Sequence, residues 1–107
     1  MSYIPATDLH NNFESAIYTA LLTVPEGYVI SYGELASRAG YKGYARHVGR
    51  CLKNLPKGSS LPWQRVIKGS GELAFPAGSE KYHIQREKLL SEGVAFKASK
   101  VLKEHFF

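Results

Sequence analysis

A single thiol and a scattered set of histidines are the residues best suited to covalent or metal chemistry in this sequence. Cys51 is the one cysteine among 107 residues, so an internal disulfide is impossible and a reducing compartment is expected. It lies between Val48 and Leu52 on the predicted apolar side of a helix, which favours a buried, inert thiol over a nucleophile. The histidines have no partners at metal-ligand spacing, so we predict neither a metal site nor a cofactor. They are His10, His47, His83 and His105.

A cationic stripe on a predicted helix indicates an anionic partner. Apolar residues recur at helical spacing over Ala45–Leu55 and define one face. Gly49 lies on another face, where it costs roughly 0.5–1 kcal/mol relative to alanine. A helix tolerates that cost where another backbone must come close, and together with Ala45 the glycine makes this surface slim. The same side carries Arg46, Arg50, Lys53 and Lys57.

The elements around this stripe predict a DNA-binding motif. Ser31 is a suitable N-cap for a short helix over Gly33–Arg38 that Gly40 closes. A short helix, a glycine-bearing turn and a basic second helix are the outline of a helix-turn-helix. A slim cationic helix fits phosphates and also a narrow groove, so we predict DNA binding. The alternative is an ordinary solvated charged face.

Composition agrees with one small domain spanning residues 1–107. The hydrophobic fraction of 44% supplies a modest core, and the net charge of +5 favours an anionic partner. The N-terminal segment has no basic flank followed by an apolar run, so we expect no secretory signal. No segment approaches the roughly 20 apolar residues of a membrane span, so we expect no membrane partner.

Trp63, the single tryptophan, directly follows a proline in the segment LPWQRVI. The ordinary interpretation is a core residue. Tyr32 at the start of the short helix has the same alternative, a half-buried aromatic ring. Arg46 by itself is one more phosphate contact. None of the three is distinctive alone.

Together, three separated segments resemble the DNA-binding domain of the O6-alkylguanine-DNA alkyltransferases. They are SYGELA at Ser31–Ala36, ARHVG at Ala45–Gly49 and PWQRVI at Pro62–Ile67. Those enzymes carry a Pro-Cys-His-Arg-Val motif whose cysteine accepts the alkyl group from a flipped-out guanine. Trp63 stands where that cysteine should be, so the sequence is similar to the alkyltransferase-like proteins, the non-enzymatic branch.

The resemblance implies a role for each motif residue. Tyr32 would crowd the phosphate beside the target nucleotide and help to rotate it outward. Arg46 would enter the base stack from the minor groove and fill the vacated space. Trp63 would line the pocket that receives the base, and further pocket residues would be Gln64, Phe75, Pro76 and Ala77. Contacts to the DNA backbone and groove would come from Ser31, Ala45, Gly49, Arg50 and Lys53.

The sequence departs from the enzymes at Gln64, where they have the histidine that deprotonates the cysteine. Glutamine is no general base at neutral pH, which agrees with a site that needs none. Glu92 falls where the enzymes keep a glutamate in a proton relay. Without a thiol to activate, we expect Glu92 to be a structural acceptor or helix-end residue. Arg65 is expected to brace the loop by bonding carbonyl groups.

The remaining elements complete a mainly α fold with a minor β-element. A first helix is predicted from Asn11 or Asn12, with a stop near Gly27. A hairpin is predicted between Val66-Ile67 and Leu73–Phe75 across a Gly-Ser-Gly turn. Ser79 opens a last helix that Gly93 closes. The tail has Val101, Leu102, Phe106 and Phe107 available to pack back on the domain.

The expected function is recognition of O6-alkylguanine in duplex DNA by a cytoplasmic monomer, nucleoid-associated in a bacterium. No bond is made or broken, and the complex flags the lesion for nucleotide excision repair, a step that rests on the resemblance alone. One alternative is a sequence-reading helix-turn-helix regulator, although Ala45 and Gly49 offer nothing with which to read base edges. A second is an enzyme, either a hydrolase or an alkyltransferase acting through Cys51. Trp63 and Gln64 in place of Cys and His count against it.

Overall fold

The computed structural model describes residues 6–56 and 58–107, with side chains from residue 12 onward apart from residue 57. Short strands and two 3-10 turns, at Trp63–Arg65 and Lys103–His105, connect four helices. The helices are α1 (Ala6–Leu21), α2 (Tyr32–Arg38), α3 (Ala45–Lys53) and α4 (Glu80–Ser91). The strands are β1 (Ile30–Ser31), β2 (Val66–Ile67), β3 (Phe96–Lys97) and β4 (Lys100–Val101). The mainly α architecture with a minor β-element is as predicted.

Helix α1 starts earlier than the sequence pattern predicts. It begins at Ala6 rather than at Asn11 or Asn12, because asparagine inside a helix is only mildly unfavourable and does not stop a helix that continues on both sides. The helix ends at Leu21, several residues before the predicted stop, and the predicted turn is present at Gly27, which has a φ of +90°.

Helices α2 and α3 form the predicted helix-turn-helix. The Ser31 hydroxyl caps α2 by accepting a hydrogen bond from the Glu34 amide at 3.0 Å. Helix α3 ends at Lys53, two residues before the predicted end at Leu55. The reason is Pro56, which disfavours helical backbone at the residue before it. Lys57, predicted to extend the cationic stripe, lies outside the described residues.

The hairpin lies elsewhere than predicted. Strand β2 pairs in parallel with β1, in a register that sets Ile30 opposite Val66. The antiparallel pair is β3–β4, in which Phe96 faces Val101. The prediction at residues 66–75 was wrong because Val66 and Ile67 are both buried, as expected of a parallel pair covered on two faces rather than of a hairpin with one solvated face.

Strands β1 and β2 contribute to two hydrophobic clusters. Successive side chains of a strand point to opposite faces, so Val66 and Ile67 enter different clusters. The first cluster comprises Ile17, Leu21, Val24, Ile30, Leu35, Ala36, Val48, Leu52 and Val66. The second comprises Val29, Ile67, Leu73, Leu89, Val94 and Val101. The helix-turn-helix therefore packs on one cluster and α4 on the other.

The C-terminal segment packs back on the domain. Val101 is buried in the second cluster and Phe106 packs against it. The Phe107 amide donates to the Val29 carbonyl at 2.8 Å, and the Arg38 guanidinium lies 4.5 Å from the Phe107 ring centroid. His105 lies 2.9 Å from the Gly27 carbonyl through Nδ1 and accepts from the Ala95 amide through Nε2 at 3.0 Å. The segment thus closes the second cluster.

Candidate nucleic-acid interface

A cavity of about 300 Å³ separates helix α3 from the turn that carries Trp63. Its volume lies at the lower end of the range of about 300–1,000 Å³ found for ligand pockets. One wall is aromatic and apolar, and the rim is cationic. The lining residues are Tyr32, Gly49, Leu52, Lys53, Trp63, Lys68, Ala74, Phe75 and Lys81.

Trp63 is half-buried at this cavity and is not sealed in either hydrophobic cluster. Pro62 precedes a single 3-10 turn over Trp63–Arg65, and the Arg65 amide donates to the Pro62 carbonyl at 3.1 Å. The indole meets the Phe75 ring edge-on, with centroids 6.3 Å apart and planes at 84°. Such an arrangement leaves apolar ring surface available to a ligand.

A buried carboxylate holds the Trp63 turn in place. Glu92, the C-cap of α4, accepts from Gln64 Nε2 at 2.7 Å and from Arg65 Nε at 2.9 Å and Nη2 at 3.2 Å. Arg65 Nη1 also donates to the Val24 carbonyl at 2.8 Å. From α4, Gln85 Nε2 donates to the Gln64 and Val66 carbonyls, each at 3.0 Å. The expected structural roles of Glu92 and Arg65 are confirmed by these contacts.

The charge state of Glu92 follows from its partners. Burial of the carboxyl by itself would raise its pKa. Hydrogen bonds from Arg65 and Gln64, the Arg65 charge and the Gly27 amide outweigh burial and hold the pKa of Glu92 below its ordinary value. Glu92 is therefore an ionised acceptor, and its lone pairs are engaged by the turn it supports.

Tyr32 is the first residue of helix α2 and lines the cavity. Its ring is half-buried against the first hydrophobic cluster, and burial raises the pKa of its phenol. A Cβ added to Gly49 would come 4.0 Å from Tyr32 Cε1. Because that is ordinary van der Waals contact, the packing of the Tyr32 ring does not require a glycine at position 49.

The outer face of α3 is cationic, as predicted. Arg46, Arg50 and Lys53 are exposed, whereas Ala45 and Gly49 are half-buried. Arg46 projects from the first turn of α3, beside Tyr44 and His47, whose rings lie 4.8 Å apart. The structure thus places Tyr32 and Trp63 at the cavity, and Arg46 on the exposed face of the helix that borders it.

Three predicted pocket residues do not line the cavity. Gln64 turns its amide to Glu92, and Pro76 and Ala77 are exposed and absent from the lining. Gln64 lies outside the lining because residues adjacent in a 3-10 turn point in different directions, and its amide donates to the buried Glu92 carboxylate. Ser31, predicted as a backbone contact, uses its hydroxyl oxygen to cap α2.

The sequence pattern did not predict Lys68 and Lys81 as lining residues. Lys68 follows β2, and Lys81 lies in the first turn of α4. Lys81 Nζ is 5.5 Å from the Trp63 centroid and 5.4 Å from the Phe75 centroid, within cation–π range. Neither lysine belongs to a motif, so only the tertiary arrangement of β2 and α4 around the Trp63 turn brings them to the site.

Cys51 lies outside the cavity lining. It is buried, and Sγ lies 3.5 Å from the Tyr18 hydroxyl. Burial, which outweighs the Tyr18 hydrogen bond, raises the pKa of the thiol, and the pKa of Tyr18 is raised mainly by burial as well. The expectation of a buried thiol is confirmed.

Over residues 6–56 and 58–107, no three histidine, cysteine, aspartate or glutamate residues are grouped so as to hold a metal ion. Within the same residues, no helix combines the length and apolar character needed to cross a bilayer. The lining that the structure describes consists of aromatic, apolar and lysine side chains, with Tyr32 as its one hydroxyl group. Such a lining is suited to stacking a planar ring rather than to coordinating a metal.

The sequence of this chain matches a known DNA-binding family. The model of the 6-O-methylguanine DNA methyltransferase DNA-binding domain matches residues 12–94. The chain is 44% identical over 84 residues to the DNA base-flipping protein of Vibrio parahaemolyticus, covering 78% of this chain and 82% of that protein. It is 36% identical over 87 residues to alkyltransferase-like protein 1 of Schizosaccharomyces pombe, covering 78% of each.

The fold also resembles a solved protein–DNA complex. The structure of S. pombe Atl1 with damaged DNA containing O6-carboxymethylguanine superposes with a TM-score of 0.79 at 31% identity. The match covers 91% of this chain and 95% of that chain. At this identity and coverage, the arrangement of helices and turns is shared across nearly the whole domain.

Proposed function

This chain belongs to the alkyltransferase-like proteins, which share the 6-O-methylguanine DNA methyltransferase DNA-binding domain, and we propose that it binds duplex DNA carrying O6-alkylguanine and rotates that nucleotide into the cavity beside Trp63. The observation that carries the proposal is the cavity itself. It lies between the Gly49 face of the cationic helix and a half-buried indole. A base leaving the duplex beside α3 would enter it directly.

Helix α3 provides the approach to DNA. Exposed Arg46, Arg50 and Lys53 supply positive charge, and Ala45 with Gly49 keep the helix slim enough for the minor groove. Arg46 enters the base stack, where its planar guanidinium fills the space left by the rotated nucleotide and pairs with the orphaned base. Tyr32, at the start of α2, presses on the adjacent phosphate.

The cavity compensates for the cost of rotation. Unstacking and unpairing a base costs a few kcal/mol, and less for a damaged base that already pairs poorly. Stacking on an aromatic side chain contributes roughly 1–3 kcal/mol per base. Trp63 supplies the stacking face and Phe75 borders it at a steep angle. Undamaged guanine pays the full cost of rotation and is therefore disfavoured.

The alkyl group stays on the DNA. The indole of Trp63 cannot accept an alkyl group as a thiolate does. Gln64 cannot serve as a base, and Glu92 is engaged by Arg65 and Gln64. Cys51 is buried away from the cavity lining. Binding is retained while chemistry is lost.

The consequence is lesion marking by a cytoplasmic monomer, nucleoid-associated in a bacterium. A stable complex with distorted DNA would recruit the proteins of nucleotide excision repair, which then remove the damaged strand. This step rests on the resemblance to the alkyltransferase-like proteins, and recruitment of excision-repair proteins to the complex would test it.

The decisive experiment compares affinity for two duplexes that differ in one O6-methylguanine. We expect tighter binding to the damaged duplex, together with an increase in 2-aminopurine fluorescence beside the lesion as the base leaves the stack. Equal affinity for both duplexes would refute lesion recognition and favour a sequence-reading regulator. Incubation with radiolabelled methylated DNA tests the chemistry, since label transferred to protein or released would establish catalysis.

A further inference from the structure

We propose that the cavity prefers O6-substituents that carry a negative charge, and that Lys81 is the residue that sets this preference; the inference rests on the proposed function and specifies its substrate class. The cavity rim carries three lysines, Lys53, Lys68 and Lys81, and none of the described lining residues is acidic. These exposed ammonium groups give the cavity mouth a positive potential that favours an anionic group entering it.

Lys81 is distinguished from the other two by its position. Its ammonium lies 5.5 Å from the Trp63 centroid and 5.4 Å from the Phe75 centroid, so both rings hold it. These are the rings on which the rotated base would stack. A substituent on the O6 edge of that base would extend beside the Lys81 ammonium.

Lys81 also lies where a cation does not help the helix. It is in the first turn of α4, a helix of 12 residues, and the positive end of the helix dipole favours acidic side chains there. The helix N-terminus and the ammonium therefore add to one another and create a site of positive potential. A carboxylate on the adduct would meet this potential, whereas an uncharged alkyl chain gains only apolar contact with residues such as Leu52.

The alternative role for Lys81 is a contact to a DNA phosphate. A phosphate contact strengthens binding to every duplex by the same factor, because the backbone is the same in all of them. A contact to the adduct strengthens binding only to DNA with a charged substituent. The two roles therefore differ in a ratio of affinities rather than in affinity itself.

The test uses four duplexes that differ only at the central base: guanine, O6-methylguanine, O6-carboxymethylguanine and its uncharged isostere O6-carbamoylmethylguanine. At one fixed salt concentration, we expect the dissociation constant for the carboxymethyl duplex to be about fivefold lower than for the carbamoylmethyl duplex, as for a well-formed exposed ion pair. Lys81→Gln should bring the ratio close to one, and Lys81→Arg should retain it. Lys88→Gln is the matched control, since it removes the same charge from the exposed end of α4 away from the cavity.

Two results would overturn the inference alone. One is a wild-type ratio of one while O6-methylguanine is still preferred over guanine. The other is an equal loss of affinity for all four duplexes in the Lys81→Gln variant, which would identify a phosphate contact. No preference for any adduct over guanine would instead refute the proposed function, and the inference with it.

Discussion

Glu92 ties the Trp63 turn to the body of the domain, and Glu92→Gln removes its charge while keeping its shape. The side chain of Glu92 is 7% exposed and that of Arg65 is 17% exposed, so the pair is largely shielded from water. The substitution leaves the Arg65 guanidinium without a counter-charge and presents an amide NH₂ to donors that need an acceptor.

The magnitude follows from this burial. Breaking a buried ion pair by removing one partner costs about 3–5 kcal/mol. In the variant, Arg65 keeps its hydrogen bond to the Val24 carbonyl at 2.8 Å and some contact with solvent. We therefore expect the free energy of unfolding to fall by about 2–3 kcal/mol, at or below the low end of that range. For a domain of this size that loss lowers Tm by roughly 10 °C or more.

The stabilisation should also depend on pH in a defined direction. The pKa of Glu92 is lowered in the folded state from its ordinary value of 4.5. The contribution of Glu92 to the free energy of unfolding is therefore complete above pH 4.5, and it is lost as the pH falls through the folded-state pKa. Urea denaturation at pH 7 and at stepwise lower pH values measures this. The gap between wild type and Glu92→Gln should narrow as the pH falls.

Glu34→Gln is the matched control. Glu34 pairs with Arg38 at 3.0 Å, but the two side chains are 51% and 40% exposed. Such a surface pair contributes at most about 1 kcal/mol. If Glu92→Gln destabilises the protein no more than Glu34→Gln does, the Trp63 turn is not held by this carboxylate and the reasoning fails.

Three further predictions concern the site. Trp63→Cys should show no rapid alkyl transfer, because Gln64 cannot generate a thiolate; a stoichiometric transfer of radiolabel to this variant would contradict that. Arg46→Ala should weaken binding to damaged DNA more than binding to undamaged DNA. It should change the free energy of unfolding by less than about 0.5 kcal/mol, because the residue is exposed. Arg50→Ala should weaken binding to damaged and undamaged DNA equally, as expected of a phosphate contact. Cys51 should react with a thiol reagent only on unfolding, since burial raises its pKa; fast labelling of the native protein would show an accessible thiolate.

Local patterns in the sequence predicted the elements that depend on local interactions. Ser31 and Ser79 were recognisable as helix caps because a hydroxyl bonds to an amide three residues away. The stripe of Arg46, Arg50 and Lys53 followed from helical periodicity. The start of α1 was wrong by several residues, since asparagine permits a helix to continue as well as to begin.

Interactions between distant residues could not be predicted in the same way. Val66 and Ile67 read as one arm of a hairpin, and only burial on both faces decided that they pair with β1. Gln64 was expected at the pocket, yet a carboxylate 28 residues away takes its amide. Lys68 and Lys81 lacked any local signal, because the cavity they border exists only after α4 packs on the Trp63 turn.

The sequence by itself determined the family, the cationic helix and the replacement of a nucleophile by Trp63, since each depends on residue identity or short-range spacing. Tertiary structure alone decided that the indole borders a cavity, that Glu92 anchors its turn and that lysines surround it. The physical reason is that a cavity and a buried ion pair are made of surfaces brought together from distant parts of the chain. Their geometry is set by packing, which no short stretch of sequence contains.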